Sequence, residues 1–265
     1  MTATAFDFRD VTYAYRGQAA LAGLSFAVDL GERVTLLGAN GSGKSTLLRM
    51  MDALCFPAAG TALALGASLT EAAFVDEAVN YAFRRRVGLV FQNPDVQLFN
   101  PTVLDELAFG PLQLGWDKAR VKAAIEATLA RFGIGHLRDR PPHRLSGGEK
   151  KRVAIASVII TEPDVLLLDE PTAALDPRSR ADLVAFLAHG LGAGRTVITA
   201  THDLDIIDDI SDRSIVLEEG RVAADGATLD ILHDIDLLRR THLVFEHHHS
   251  HAGPQAAGHG HLHDH

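Results

Sequence analysis

Apolar residues in this chain come in short runs, each closed by a polar or glycine-rich break. Arg33-Val34-Thr35-Leu36-Leu37 runs into Gly38, Val87-Gly88-Leu89-Val90-Phe91 into Gln92-Asn93-Pro94, and Val165-Leu166-Leu167-Leu168 into Asp169-Glu170. Runs of this length and composition predict strands, and the first and third read as buried on both faces. Thr196 to Ala200 and Ser214 to Leu217 predict two more. Between them the apolar positions change to helical spacing, over 103–109, 117–132, 145–160, 178–190 and 204–210. Gly110-Pro111 punctuates the first pair, Pro141-Pro142 closes that section, and Pro163 ends the third helix. Upstream, Ala5-Phe6-Asp7-Phe8 and Leu24-Ser25-Phe26-Ala27-Val28 flank a turn at Gly17 and predict antiparallel strands. Residues 52–83 are alanine-rich and weakly patterned, and no chemistry is assigned to them. Strands alternating with helices predict an α/β fold whose ligand lies off the carboxyl ends of a parallel sheet.

The first run feeds Gly38-Ala39-Asn40-Gly41-Ser42-Gly43-Lys44-Ser45-Thr46, and Leu47-Leu48-Arg49-Met50-Met51 opens a helix behind it. Strand, glycine-rich loop, helix is the context in which G-x-x-x-x-G-K-[ST] marks a phosphate site. The glycines let consecutive backbone N–H groups share one concavity, and the helix N-terminus adds partial positive charge. Lys44 would reach the terminal phosphates and Ser45 would offer its hydroxyl to Mg²⁺. Asp169-Glu170 ends a strand of the same kind, so both loops open on one edge of the sheet. Asp169 would hold Mg²⁺ through its water shell, and Glu170 would polarise a water aimed at a γ-phosphate.

Other candidates carry two readings. Ser146-Gly147-Gly148 places a hydroxyl and open N–H groups at a helix start, which makes an anion site; taken alone it reads first as an N-cap, with Glu149 in the first turn. His202 follows a strand end in Ala200-Thr201-His202-Asp203, where a histidine serves structure more often than a phosphate oxygen. Tyr15, just before the Gly17 turn, suits packing and ligand contact equally. Asp203, Asp205, Asp208, Asp209 and Asp212 fit the wet side of a helix better than a metal site.

Composition narrows the class. The chain has 265 residues, 47% of them apolar, enough for one large α/β domain. Its formal charge of −9 argues against a nucleic-acid partner, and its single cysteine, Cys55, suits a reducing compartment. No apolar run approaches the roughly 18 residues of a membrane span, and no secretory signal is visible at the start. A cytoplasmic protein is expected.

Taken together, GANGSGKST (38–46), LSGGEKKRVAIA (145–156), VLLLDEP (165–171), AALDP (173–177) and ATHD (200–203) resemble the ATP-binding-cassette ATPases, over roughly residues 5–245. The resemblance implies a P-loop α/β fold with a mixed or parallel core sheet, an N-terminal antiparallel β subdomain and a helical subdomain over about 93–160. It implies that Tyr15 stacks on adenine and that Gly38, Asn40, Gly41, Ser42, Gly43, Lys44, Ser45 and Thr46 hold phosphate and Mg²⁺. Gln92 would sense nucleotide beside the metal, and His202 would contact the γ-phosphate. Ser146, Gly147 and Gly148 would cap ATP held by another subunit, and Asp176 would cross to that subunit. A homodimer or pseudo-dimer clamping two ATP molecules is thereby implied.

Residues 91–99 (FQNPDVQLF) with Glu106-Leu107-Ala108-Phe109-Gly110-Pro111 resemble the energy-coupling-factor branch of importers, and the signature segment is similar to its cobalt and nickel group. This implies a transmembrane coupling protein and a substrate-binding membrane subunit as partners, at the cytoplasmic face, with Leu98 and Phe99 entering the contact. The other readings are an importer for another ion or a vitamin, a cassette ATPase acting without a membrane subunit, and a metal-storage protein on an inactive ATPase fold. The last conflicts with the presence of Lys44, Glu170 and His202. After residue 246 the composition changes: His247, His248, His249, His251, His259, His261, His263 and His265 stand among glycine and alanine. Such a tail cannot bury a core and is expected to be disordered, and its neutral imidazoles suit Ni²⁺ or Co²⁺.

Overall fold

The computed structural model describes residues 3–192, 194–247 and 261–263. It opens with a long hairpin, β1 (Thr4–Tyr15) and β2 (Gln18–Asp29). Arg16 and Gly17 between them both have positive φ, 48° and 88°, the geometry of a two-residue turn that follows the twist of the strands. β4 (Ala59–Ala64) and β5 (Ala67–Ser68) extend the hairpin into a four-stranded antiparallel sheet ordered β2-β1-β4-β5. Phe8 and Phe26 stack across it at 5.2 Å.

The main sheet is six-stranded and mixed. Its strands are β3 (Arg33–Leu37), β6 (Val87–Val90), β7 (Val165–Asp169), β8 (Thr196–Thr201), β9 (Arg213–Glu218) and β10 (Arg221–Ala227), ordered β10-β9-β3-β8-β7-β6. All neighbours are parallel except the edge pair β10–β9. Alternation splits each buried strand between two cores. Val165 and Leu167 of β7 face the antiparallel sheet and α1 (Lys44–Met51), while Leu166 and Leu168 pack with the helices of the other side. That is why the run Val165 to Leu168 carries no polar face.

The helical subdomain is built from α4 (Val103–Gln113), α5 (Lys118–Arg131) and α6 (Gly147–Ile159). Thr102, Asp117 and Ser146 cap their N-termini. Gly110-Pro111 does not end α4, which continues to Gln113. A proline near a helix end loses a single backbone bond, and Leu114 N–H still closes onto the Gly110 carbonyl at 3.0 Å. Gly110 instead permits close packing, since a Cβ there would stand 3.1 Å from Thr161. The 178–190 helix is α7 (Pro177–Ala185) followed by a wider turn over Phe186–Gly190, and 204–210 is a tight turn, Leu204–Ile206, followed by α8 (Ile207–Ile210).

Residues 52–83, featureless in sequence, carry β4, β5 and two short helices, α2 (Glu71–Phe74) and α3 (Glu77–Arg84). Arg84 ties them to the end of α1, donating to the Asp52 carbonyl at 2.7 Å and pairing with its carboxylate at 3.0 Å. In the tail, Phe245–His247 pairs antiparallel with His261–His263, an order its composition does not announce; the other tail histidines, 248, 249, 251, 259 and 265, lie outside the described residues. No helix among the described residues is long and apolar enough to cross a membrane.

Candidate functional site

The carboxyl ends of β3, β8 and β7 stand level, with Leu37 opposite Thr201 and Ala200 opposite Asp169. β8 therefore lies between the phosphate loop and the Asp169-Glu170 pair, and inserts Thr201 and His202 between them. A cavity of about 280 Å³ opens here. Tyr15, Asn40, Lys44, Ser45, Gln92 and Glu170 border it, together with Gln18, Ala19 and Ala20 of β2.

The loop is shaped by backbone constraint. Gly38, Gly41 and Gly43 have φ of 152°, 85° and 108°. A Cβ on Gly38 would stand 2.4 Å from the Leu217 carbonyl, and one on Gly43 2.7 Å from the Ala20 carbonyl. Gly43 is the N-cap of α1 and provides no side-chain cap, so the first N–H groups of that helix remain for an anion. The Ser42 hydroxyl is buried without a hydrogen-bond partner among the described residues, an orphan that a phosphate oxygen would satisfy.

Lys44 Nζ donates to the carbonyls of Gly38 at 2.5 Å and Ala39 at 3.2 Å, and stands 4.0 Å from Glu170 Oε1. Burial lowers its pKa, opposed by the charges of Glu170 and Asp169. The Ser45 hydroxyl donates to Asp169 Oδ1 at 3.1 Å, and burial raises the pKa of that carboxyl. Two hard oxygens joined in this way fit Mg²⁺, which takes one or two protein oxygens beside substrate phosphates.

Glu170 is 5% exposed with φ of 44°, and its Oε1 lies 2.8 Å from His202 Nδ1. An ionised carboxylate only accepts, so Nδ1 carries the proton in that pairing and Nε2 is left for a second partner. Gln92 borders the cavity, and its carbonyl accepts from Lys151 Nζ at 2.7 Å. Tyr15 is 43% exposed; its ring meets Tyr13 edge-on at 4.9 Å, and its hydroxyl accepts from Arg49 at 3.5 Å.

Ser146, Gly147, Gly148 and Asp176 border no part of this cavity. They sit together elsewhere. Ser146 and Glu149 cap each other at the start of α6, and Asp176 Oδ1 caps α7 by accepting from Arg178 and Ser179 N–H at 3.1 and 3.0 Å. The Ser179 hydroxyl, with the Ser179 and Arg178 N–H groups, holds the Asp176 carboxyl below its ordinary pKa, and the Ser146 N–H does the same for Glu149. A Cβ on Gly148 would stand 2.5 Å from Ser179 Oγ, so that glycine has a packing role within the chain; none of the described residues would lie within 4 Å of a Cβ on Gly147.

Two readings change. Leu98 is buried at 8% exposure, whereas Val96 and Phe99 are exposed at 67% and 65%. Asp203 and Asp205 are not merely solvated, because Arg180 pairs with them at 2.7 and 3.1 Å. Lys151 and Thr201 were not read from sequence as site residues. Lys151, lying between Gly148 and Ile155 on the buried side of α6, breaks an apolar stripe, and that was the available signal; Thr201 carried none. Among the described residues no cluster of His, Cys, Asp and Glu forms a further metal site.

The model of the ABC transporter family matches residues 21–173. The chain is 59% identical to the nickel import ATP-binding protein NikO of Rhodobacter capsulatus, over 91% of this chain and 96% of that protein. It is 45% identical to the energy-coupling factor transporter ATP-binding protein EcfA of Methanoculleus marisnigri, over 89% and 83%. A solved structure from Clostridium perfringens, described as part of the ABC transporter complex cbiONQ, superposes with a TM-score of 0.77 at 35% identity, covering 91% and 95%.

Proposed function

This chain belongs to the ABC transporter family, and from that membership we propose that it is the ATPase subunit of an energy-coupling-factor importer for nickel or cobalt. It is an ATP hydrolase that uses ATP and Mg²⁺. The observation that carries the finer reading is near-complete alignment at 59% identity with a nickel import ATP-binding protein. The 91–99 segment and the alignment with EcfA support the energy-coupling-factor branch.

In this reading Tyr15 offers a ring face to adenine. Lys44 exchanges its bonds to the Gly38 and Ala39 carbonyls for the β- and γ-phosphates. Ser45 and Asp169, with Gln92 beside them, would hold Mg²⁺, which would supply charge neutralisation to the phosphates. Glu170 orients the attacking water from the side held by Thr201 and His202, and Lys44 and His202 offset charge that develops on the γ-phosphate. Ser146, Gly147, Gly148 and Asp176 serve the site of a second cassette, which explains why they stand together but away from this chain's cavity. The working unit is therefore a homodimer or a pseudo-dimer with a related chain, closed by ATP and opened by hydrolysis.

The membrane partners dock beside Gln92 and the helices after it, on the exposed apolar side chains of Val96, Phe99, Phe109 and Leu112; Phe99 and Phe109 meet edge-on at 5.0 Å. Glu106 shapes that tip, one carboxylate oxygen accepting from Phe99 N–H, Asn100 N–H and the Asn100 amide. The domain runs over 1–246, with its helical part over about 93–160, and the histidines of 247–265 act as a Ni²⁺ or Co²⁺ chelator near the importer's mouth.

The test has two arms. Glu170→Gln binds ATP and traps a dimer while turnover falls by roughly 10²–10⁴; unchanged turnover removes Glu170 from the mechanism. Copurified membrane partners take up labelled Ni²⁺ or Co²⁺. Stimulation by a vitamin with indifference to both metals assigns another substrate, and activity with no membrane partner in vivo assigns a non-transport ATPase.

A further inference from the structure

Both carboxylate oxygens of Glu170 are gripped by consecutive residues at the end of β8. Oε1 lies 2.8 Å from His202 Nδ1, and Oε2 accepts from the Thr201 hydroxyl at 3.1 Å. The backbone of Glu170 is held as well, its N–H donating to the Ala200 carbonyl at 2.9 Å. What remains soft is the torsion that turns the carboxylate plane, which has a broad, two-fold profile for glutamate. A donor on each oxygen fixes that plane, and with it the direction of the lone pairs left for water.

Thr201 is itself fixed. It is fully buried, so its hydroxyl has no solvent to turn to, and it accepts from Asp203 N–H at 3.1 Å. The Asp203 carboxylate in turn accepts from Arg180 Nη2 at 2.7 Å, from Asp205 N–H at 3.3 Å and from the Thr172 hydroxyl at 3.4 Å. Arg180 belongs to α7, the helix that Asp176 caps. An unbroken polar chain thus runs from α7 through Asp203 and Thr201 to Oε2 of Glu170.

We propose that Thr201 is a positioning residue for Glu170, braced from α7 by Asp203 and Arg180. The proposal rests on Glu170 orienting the attacking water. The end of β8 then supplies one residue to each oxygen of the carboxylate, with the threonine side tied to the helix whose cap faces the second cassette. Misdirecting a reacting group by about an ångström costs up to about a hundredfold in rate while leaving substrate binding in place.

The experiment compares Thr201→Val, which removes the hydroxyl and keeps the shape, with Thr201→Ser, which keeps the hydroxyl, in steady-state ATP hydrolysis by the full chain. The expected result is kcat lowered about tenfold to a hundredfold in T201V with KM for ATP within about twofold, and recovery to within about threefold of wild type in T201S. Arg180 has about a third of its side chain exposed, so Arg180→Gln folds regardless of the core and lowers kcat by about threefold to tenfold at unchanged KM. Glu170→Gln is run alongside. If E170Q keeps full turnover, the reading of Glu170 fails and the proposal falls with it. If E170Q stops turnover while T201V runs at the wild-type kcat, or T201S is as slow as T201V, the reading of Glu170 stands and the proposal is overturned.

Discussion

Lys151→Met isolates the cost of a charge that this fold buries to hold one carbonyl. Lys151 is 2% exposed, its Nζ donates to the Gln92 carbonyl at 2.7 Å, and burial lowers its pKa from 10.5 to about 8 against the attraction of Asp169 and Glu170. The folded chain therefore gives up this proton more readily than the unfolded chain. Between pH 8 and 10.5 the unfolded state binds more protons, so wild-type stability rises with pH through that window. A pKa lowered this far corresponds to roughly 3 kcal/mol in full, of which about 2 kcal/mol is recovered between pH 7 and pH 9.5. Methionine titrates in neither state. It also leaves the Gln92 carbonyl without its donor, which costs about 1–3 kcal/mol at every pH. Urea denaturation of both proteins without nucleotide, at pH 7 and 9.5, yields the comparison: the stability of K151M relative to wild type falls by about 2 kcal/mol as pH rises. A difference that stays constant, or that shifts in favour of K151M, would refute the buried-ammonium argument.

Further expectations follow from the geometry. Gly148→Ala pushes a methyl group to within 2.5 Å of Ser179 Oγ and lowers stability by about 1–3 kcal/mol in thermal or urea melts. Adding Ser179→Gly restores much of that, and turnover that stays low in the restored double variant assigns Gly148 to the partner's nucleotide as well. Burial raises the Asp52 pKa to about 7 against the attraction of Arg84, so the folded state binds the extra proton and stability is lost as pH rises from about 4 through 7. Asp52→Asn accordingly gains on wild type across that range, and pH-dependent melts that run parallel would contradict it. Deleting residues 247–265 abolishes tight Ni²⁺ binding in calorimetry and leaves ATP turnover within about twofold of the full chain; retained Ni²⁺ affinity would place the metal elsewhere.

Legibility followed how local each cause was. The glycines at 38, 41 and 43 are demanded by left-handed backbone and by carbonyls that close on the loop, so their spacing reads directly. Ser146 and Glu149 form a reciprocal cap four residues long, equally local. The 52–83 segment was opaque because its strands and helices are short, half-exposed and held by distant partners such as Asp52 with Arg84. Gly110-Pro111 misled because a proline near a helix end loses one bond that packing against α6 outweighs.

The amino-acid pattern alone determined the strand-loop-helix phosphate site, the buried strands, the carboxylate pair at a strand end and the family resemblance. Each motif behind them depends on neighbours within a few residues, where backbone sterics and side-chain alternation decide. The sheet order was decided only by tertiary structure, because crossover packing sets which strands lie side by side. That order puts β8 between β3 and β7, and so delivers Thr201 and His202 to the two oxygens of Glu170. The same packing separates Ser146–Gly148 and Asp176 from the cavity, a division that no local pattern records because it arises from how whole layers stack.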